Sequence, residues 1–267
     1  MQQLLIDQIG TKHLFENKPL RIVSLVPSQT ELLFDLGLEN SIVGITKFCI
    51  HPTHFLKEKT KVGGTKNPNF EKIKALNPDI IICNKEENTK EIIVESSKIC
   101  TTWTTNIITI EDNYQMIQDL GQIFNLENNS KILIDKLSLA LSEFITFIDD
   151  KPIKKVAYFI WKNPYMVVGA NNYINEILRL NKFKNVFENN QFESNRYPEI
   201  EIESLKNPKL DLVFLSSEPY PFKAKDSLEI KQFTHAKIKI VDGEMFSWHG
   251  SRLLLAIDYF KKLHQNL

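Results

Sequence analysis

The sequence has no surplus of either charge: 33 lysines and arginines meet 33 aspartates and glutamates in 267 residues. Phosphate backbones are bound by a Lys/Arg excess gathered on one face, and no long basic run exists, so no nucleic-acid partner is expected. Long apolar runs are missing as well. Ile22–Val26 and Ile80–Cys83 are typical, at about five residues, where a membrane-spanning helix needs roughly 20. Nucleotide phosphates have no glycine cradle, because neither GxGxxG nor GxxxxGK[ST] occurs. The cysteines Cys49, Cys83 and Cys100 form no CxxC pair and fit buried reduced thiols. The opening residues Met1–Asp7 show no basic n-region, apolar h-region or cleavage site. That places the chain as written in the cytoplasm, a periplasmic location requiring a different N-terminus.

What is present is an α/β pattern that runs twice. Arg21–Val26 is a continuous β-branched strand, buried on both faces. Pro27 stops it, Ser28 and Glu31 form an S-x-x-E capping box, and Leu32, Leu33 and Leu36 follow at helical spacing until Gly37. Strands are predicted at Ser41–Thr46, Ile80–Cys83 and Thr101–Thr104, with helices at Phe70–Leu76 and Glu87–Ile99 between them. From Tyr114 to Phe147 the pattern is helical with one break near Asn125–Asn129. Ile132, Leu133, Leu137, Ala140, Leu141, Phe144, Ile145 and Ile148 then lie on one stripe. Asn129 or Ser130 caps this helix and Pro152 ends it; about 20 residues span roughly 30 Å. Afterwards strands recur at Lys155–Ile160, Tyr165–Val168, Asp211–Leu215 and Lys237–Val241, with helices at Asn171–Leu180 and Ser251–Leu263.

The two halves share a local register. Glu71 stands before Ile73 and eight residues before Asp79, which opens Ile80–Ile82; Glu203 stands in the same way before Leu205 and Asp211. One short helix feeds one strand in each half. With the motifs Arg21–Gly37, Val43–Thr46, Val62–Gly64 and Phe70–Ile82, and looser matches through Asn163–Pro164, Tyr197–Pro198 and Glu203–Leu215, the chain resembles the helical-backbone (class III) periplasmic binding proteins. The similarity is to their vitamin B12-binding branch, substrate-binding proteins of ABC transporters, and runs over about residues 20–262. It implies two Rossmann-like α/β lobes with parallel-rich sheets joined by one long backbone helix. The expected organisation is an N-terminal lobe at 1–110, a helical linker at 111–150 and a C-terminal lobe at 151–267. The ligand, a corrinoid, another metal chelate or a metal ion, is then expected in the cleft between the lobes. No other cofactor is implied, the protein is expected to be a monomer, and its partners are a small molecule and transporter membrane subunits. Glu71 and Glu203 match the family's two docking glutamates, although a first-turn carboxylate also gains about 0.3–1 kcal/mol from the helix dipole.

The ligand-contact candidates lie at strand ends, where open α/β sheets bind ligands. Phe48, Trp161, Tyr165, Tyr197 and Trp248 offer rings that stack on a planar macrocycle. Cys49, His51, Lys85, Glu86, Glu87, His249 and Arg252 come from three polar loops, the first two expected from one lobe and the third from the other. Cys49, His51, Glu86 and His249 are of types that ligate zinc, in no recognised metal spacing, while Lys85 and Arg252 suit an anion. His54 reads as surface. No nucleophile elbow exists, so an enzyme is not expected. The alternative is a cytoplasmic metal-dependent enzyme using Cys49, His51 and Glu86.

Overall fold

The computed structural model describes residues 3–188 and 196–267. They fall into two units: one holds the chain up to Ser138 together with His249–Leu254, the other Leu139–Trp248 and Leu255–Leu267.

In the N-terminal unit the chain opens with a hairpin that sequence patterning did not reveal, β1 (Gln3–Ile6) and β2 (Lys12–Phe15). Then follow β3 (Ile22–Ser24), α1 (Pro27–Asp35), β4 (Ile42–Ile45), α2 (Phe55–Glu58), β5 (Thr60–Lys61), α3 (Phe70–Ala75), β6 (Ile80–Asn84), α4 (Lys90–Ser97), β7 (Thr101–Thr105) and α5 (Ile110–Ile123). The sheet is parallel throughout, in the order β5-β4-β3-β6-β7. Val23, Leu25, Val62, Ile73, Ile81, Cys83 and Ile92 form a closed core on it, the all-apolar strand composition that burial on both faces demands.

Two local expectations change. Ser28 and Glu31 are not a capping box: α1 has Val26 at its N-cap, Pro27 in its first turn and no side-chain cap. Proline presets the helical φ and lacks the N–H that a cap would satisfy. The helix predicted from Glu87 starts instead at Lys90, with Thr89 capping Ile92 N–H. The reason is Asn84, whose Oδ1 accepts from Glu86 N–H at 2.8 Å and Glu87 N–H at 3.1 Å, holding those residues in an Asx turn. Gly37, predicted to end α1, lies at φ +89° just beyond it, the left-handed conformation glycine adopts without penalty.

The long helix is α6 (Glu127–Ile148), 22 residues without interruption, and the chain passes from the first unit to the second within it. Leu137, Leu141, Phe144 and Ile148 are its buried apolar positions, whereas Ile132 and Ile145, read as part of the same stripe, are exposed. Asn129 does not cap it; its amide donates to the Leu36 carbonyl at the end of α1, at 3.1 Å.

The C-terminal unit contains β8 (Lys154–Trp161), β9 (Met166–Val167), α7 (Tyr173–Leu180), β10 (Phe183–Asn185), β11 (Leu212–Ser216), α8 (Ala224–Ile230), β12 (Lys237–Val241), α9 (Gly243–Ser247) and most of α10 (Leu253–Gln265). The strand order is β10-β8-β11-β12, parallel, with β9 added antiparallel to the end of β8. Phe159, Val167, Leu205, Val213, Leu215, Phe222 and Ile230 anchor its core. Two lobes with parallel-rich sheets and one long connecting helix are thus present. Among the described residues no helix is long and apolar enough to cross a membrane.

Candidate ligand-binding site

Because the strands of each five-stranded sheet run parallel, β9 apart, they end on one edge, and the loops leaving that edge are the natural ligand-binding elements. In the N-terminal unit this edge carries two of the predicted polar loops. Phe48, Cys49 and His51 follow β4, and Lys85, Glu86 and Glu87 follow β6. The loops converge. Lys66 Nζ donates to the Glu86 carbonyl at 2.6 Å and Asn88 Nδ2 to the Thr65 carbonyl at 2.9 Å, while the Phe48 ring lies against Gly64. Phe48 is 49% exposed, Lys85 is exposed, and His51, Glu86 and Glu87 are half-buried.

Cys49 is of a different kind. It has no exposed surface, and its Sγ lies 3.1 Å from Thr30 Oγ1 and 3.2 Å from Thr46 Oγ1. Burial pushes the thiol up from its ordinary value, against the hydrogen bonds from Thr30 and Thr46 and with help from the Glu87 charge. A thiolate is the nucleophile and metal ligand, and this environment works against forming one. The same burial holds Cys83 up at about 12. Cys49 is thus poorly suited to the metal-dependent enzyme considered as the alternative, which would use Cys49, His51 and Glu86.

Behind these loops is a polar network that sequence reading missed. Thr105 Oγ1 accepts from Gln29 Nε2 at 2.5 Å and Asn84 Nδ2 at 3.0 Å and donates to the Cys83 carbonyl at 3.2 Å. Buried Gln29 keeps its Oε1 without a hydrogen-bond partner among the described residues. The signal available was Asn84 and Asn88 bracketing the Lys85–Glu87 loop, since short polar side chains at a strand end bind their own turn.

The third polar loop lies with the N-terminal unit, not the C-terminal one. Gly250 takes φ +89°, which turns its N–H onto Asn113 Oδ1 at 2.6 Å. His249 Nδ1 meets Ser28 Oγ at 3.3 Å. Arg252 donates to both carboxylate oxygens of Glu31, at 2.7 and 2.6 Å. Ser28 and Glu31 therefore hold a sequence-distant segment instead of capping their own helix. His249 and Arg252 are buried, and desolvation lowers His249 to about 4, so its ring is neutral at pH 7.

In the C-terminal unit the strand-end edge carries aromatics. Trp161, at the end of β8, is 39% exposed and makes an edge contact with Tyr220 at 5.8 Å. Tyr220 in turn meets Phe222 at 4.7 Å. Tyr165 packs on Phe159 and donates its hydroxyl to Glu229 at 2.7 Å. Lys162 bridges Asp226 and Glu229 at 2.8 and 2.6 Å; those hydrogen bonds raise the ammonium and lower Glu229. Tyr197 is half-buried in the segment whose Pro198 carbonyl accepts from Val167 N–H. Trp248 is buried, its indole donating to Glu218 at 3.0 Å beside the Ser247 hydroxyl at 2.8 Å. Burial raises Glu218, partly offset by the Ser247 bond. Sequence reading missed Tyr220 and Glu218, which only the fold brings to Trp161 and Trp248.

A groove of about 680 Å³ in the same unit is lined by Asn163, Tyr165, Phe187, Glu199, Glu201 and Glu203 among others. Glu71 is exposed in the first turn of α3, its carboxylate 3.0 Å from Lys74; Glu203 is exposed in a 3-10 turn, Ile202–Lys206.

Residues 22–236 match the periplasmic binding protein family. Over 257 residues the chain is 23% identical to an uncharacterized ABC transporter substrate-binding lipoprotein of Bacillus subtilis (strain 168), covering 91% of this chain and 79% of that one. It is 24% identical to a vitamin B12-binding protein of Vibrio vulnificus (strain CMCP6), over 89% and 87%. Among solved structures, a periplasmic heme binding protein from Pseudomonas aeruginosa superposes with a TM-score of 0.77 at 20% identity, covering 92% of each chain. The chain belongs to the periplasmic binding protein family: it is a ligand-binding protein of the ABC-transporter substrate-binding class and not an enzyme. The cytoplasmic reading is thereby corrected. A relative named as a substrate-binding lipoprotein points to a place outside the cytoplasm.

Proposed function

We propose that the protein binds a planar metal chelate, a corrinoid or a heme-like macrocycle, and presents it as a monomer to the membrane subunits of an ABC importer. The observation that carries this reading is a pair of exposed rings, Phe48 and Trp161, each at the C-terminal strand edge of its own parallel sheet. The vitamin B12- and heme-binding relatives supply the ligand class. His51, Lys85, Glu86, Glu87, Tyr165 and Tyr197 are the accessible polar and aromatic neighbours that orient the ligand, with its carboxylate or amide periphery meeting Lys85. Cys49, Trp248, His249 and Arg252 act from behind, as buried groups that hold these loops in place. Glu71 and Glu203 dock to cationic side chains of the transporter.

Equilibrium dialysis against cyanocobalamin and against hemin tests this. One of the two is expected to bind with one-to-one stoichiometry, and Phe48→Ala or Trp161→Ala is expected to weaken it about threefold to tenfold, the range of an aromatic stacking contact, at unchanged melting temperature. Absence of binding to both chelates by the folded protein would overturn the reading.

A further inference from the structure

One side-chain cluster in the N-terminal unit lies away from the ligand edge. Glu39 sits in the 3-10 turn Glu39–Ser41 that leads into β4, and His54 is the N-cap and Glu58 the last residue of α2, the short helix that leads into β5. Both sites precede the strands they feed. In a parallel sheet they therefore mark the N-terminal edge, opposite the loops that carry Phe48 and Lys85.

His54 and Glu58 are four residues apart on one helical turn, the spacing that stacks side chains on one face. His54 Nε2 is 2.6 Å from Glu39 Oε1, and one ligand atom from each of Glu39, His54 and Glu58 falls within 4.8 Å of the others. The imidazole is oriented by two rings, Phe34 at 5.8 Å and Phe55 at 5.0 Å, both edge-on. Lys59 is engaged elsewhere: its Nζ donates to the Glu39 backbone carbonyl at 2.7 Å and lies over the Phe55 ring. One imidazole and two carboxylates thus converge.

We infer that Glu39, His54 and Glu58 form a binding site for a zinc-class divalent cation, distinct from the ligand edge. One nitrogen and two carboxylate donors suit zinc and its neighbours better than calcium or magnesium, which take oxygen alone. Three protein ligands leave a fourth position for water, as in open zinc sites. At Zn–N and Zn–O distances of about 2.0–2.2 Å, tetrahedral ligand atoms lie about 3.3 Å apart. The 2.6 Å His54–Glu39 contact thus has to open by less than about 1 Å, which these half-exposed side chains allow. The bound ion would tie the turn before β4 to the turn before β5 and stabilise that edge of the sheet. The competing account is an ordinary surface ion pair between His54 and Glu39, worth little.

The full chain, without an affinity tag and stripped with EDTA, is titrated with zinc sulfate by calorimetry and with cobalt(II) chloride by visible absorption. One equivalent of zinc is expected, with cobalt giving the ligand-field bands of a low-coordinate site and zinc raising the melting temperature. Glu58→Gln, at an exposed position, should weaken zinc at least tenfold, and His54→Gln should abolish the melting shift. Hemin or cobalamin binding should be unchanged in both variants, so this site and the proposed ligand function fail independently. No zinc bound by the wild-type chain, or equal zinc binding by wild type and both variants, would overturn the assignment.

Discussion

In the N-terminal unit Asp79 accepts backbone N–H groups from Leu20 at 2.8 Å and Arg21 at 2.9 Å, at the entrance to β3. In the C-terminal unit Asp211 accepts from Lys155 N–H at 2.6 Å, at the entrance to β8. Each aspartate opens the strand that pairs with the unit's first sheet strand, and its own N–H returns a bond to that strand, to the Arg21 and Lys155 carbonyls. The repeated Glu-to-Asp register of the sequence is thus one physical device used twice: a carboxylate that locks two neighbouring parallel strands in register. Beyond it the units diverge. Asn69 caps a true α-helix before Asp79, whereas the turn before Asp211 is 3-10 and has no side-chain cap. The strand-end edge of the first unit is backed by amides and hydroxyls, that of the second by rings. Strand register is thus set by the same device in both units, whereas the chemistry of their strand-end loops differs.

The largest expected effect breaks the first unit alone. Arg252→Met removes the fork held by Glu31, side chains only 3% and 13% exposed. Losing one partner of a buried ion pair costs about 3–5 kcal/mol, read as a fall in the urea midpoint of unfolding. A loss below about 1 kcal/mol would show that the segment His249–Arg252 is held by packing rather than by that pair.

A smaller effect sharpens the shared device. Hydrogen bonds to a charged acceptor contribute about 1.5–3 kcal/mol each, and solvent exposure puts both aspartates at or below the low end. Asp79→Ala, which loses two such bonds, should cost roughly twice Asp211→Ala, which loses one. Equal losses in denaturant melts would mean that strand pairing itself, and not the carboxylate, sets the register.

The smallest effect is a slope with pH, and each unit supplies one histidine to it. Burial depresses His249 in the first unit to about 4. In the second it lowers His264, next to Lys154 and Lys151, also to about 4. A depressed histidine binds its proton more readily when unfolded. Stability is therefore fully present above about pH 6.5 and is lost as pH falls from there to about 4. Asp35 and Glu218, raised chiefly by burial, act in the opposite sense, so the comparison is between wild type and variant. His249→Asn and His264→Asn should each flatten the loss of melting temperature between pH 6.5 and 4. An unchanged slope in either would show that its ring is not what titrates there.

The residue pattern alone makes legible the parallel strands, the long mid-chain helix and the doubled Glu-to-Asp register. Each of these rests on local order: β-branched runs between breakers, apolar spacing of three and four, and a carboxylate at a strand start. It also placed Phe48, Lys85 and Trp161 at strand ends, because strand ends are marked by the same patterns. The β1–β2 hairpin was not legible, since its outward residues Leu4, Ile6 and Leu14 are apolar yet exposed and blur the alternation that marks a strand. Which candidate residues face solvent and which are core follows from packing that no local pattern encodes. Cys49 and Phe48 are neighbours in sequence, yet Thr30 and Thr46 close over one while the other stays open. Only the fold, too, gave Ser28 and Glu31 to His249 and Arg252, and Glu39 to His54. Contacts across 221 and 15 residues leave no local pattern, because the chain pairs these groups through the way its elements pack and not through their spacing.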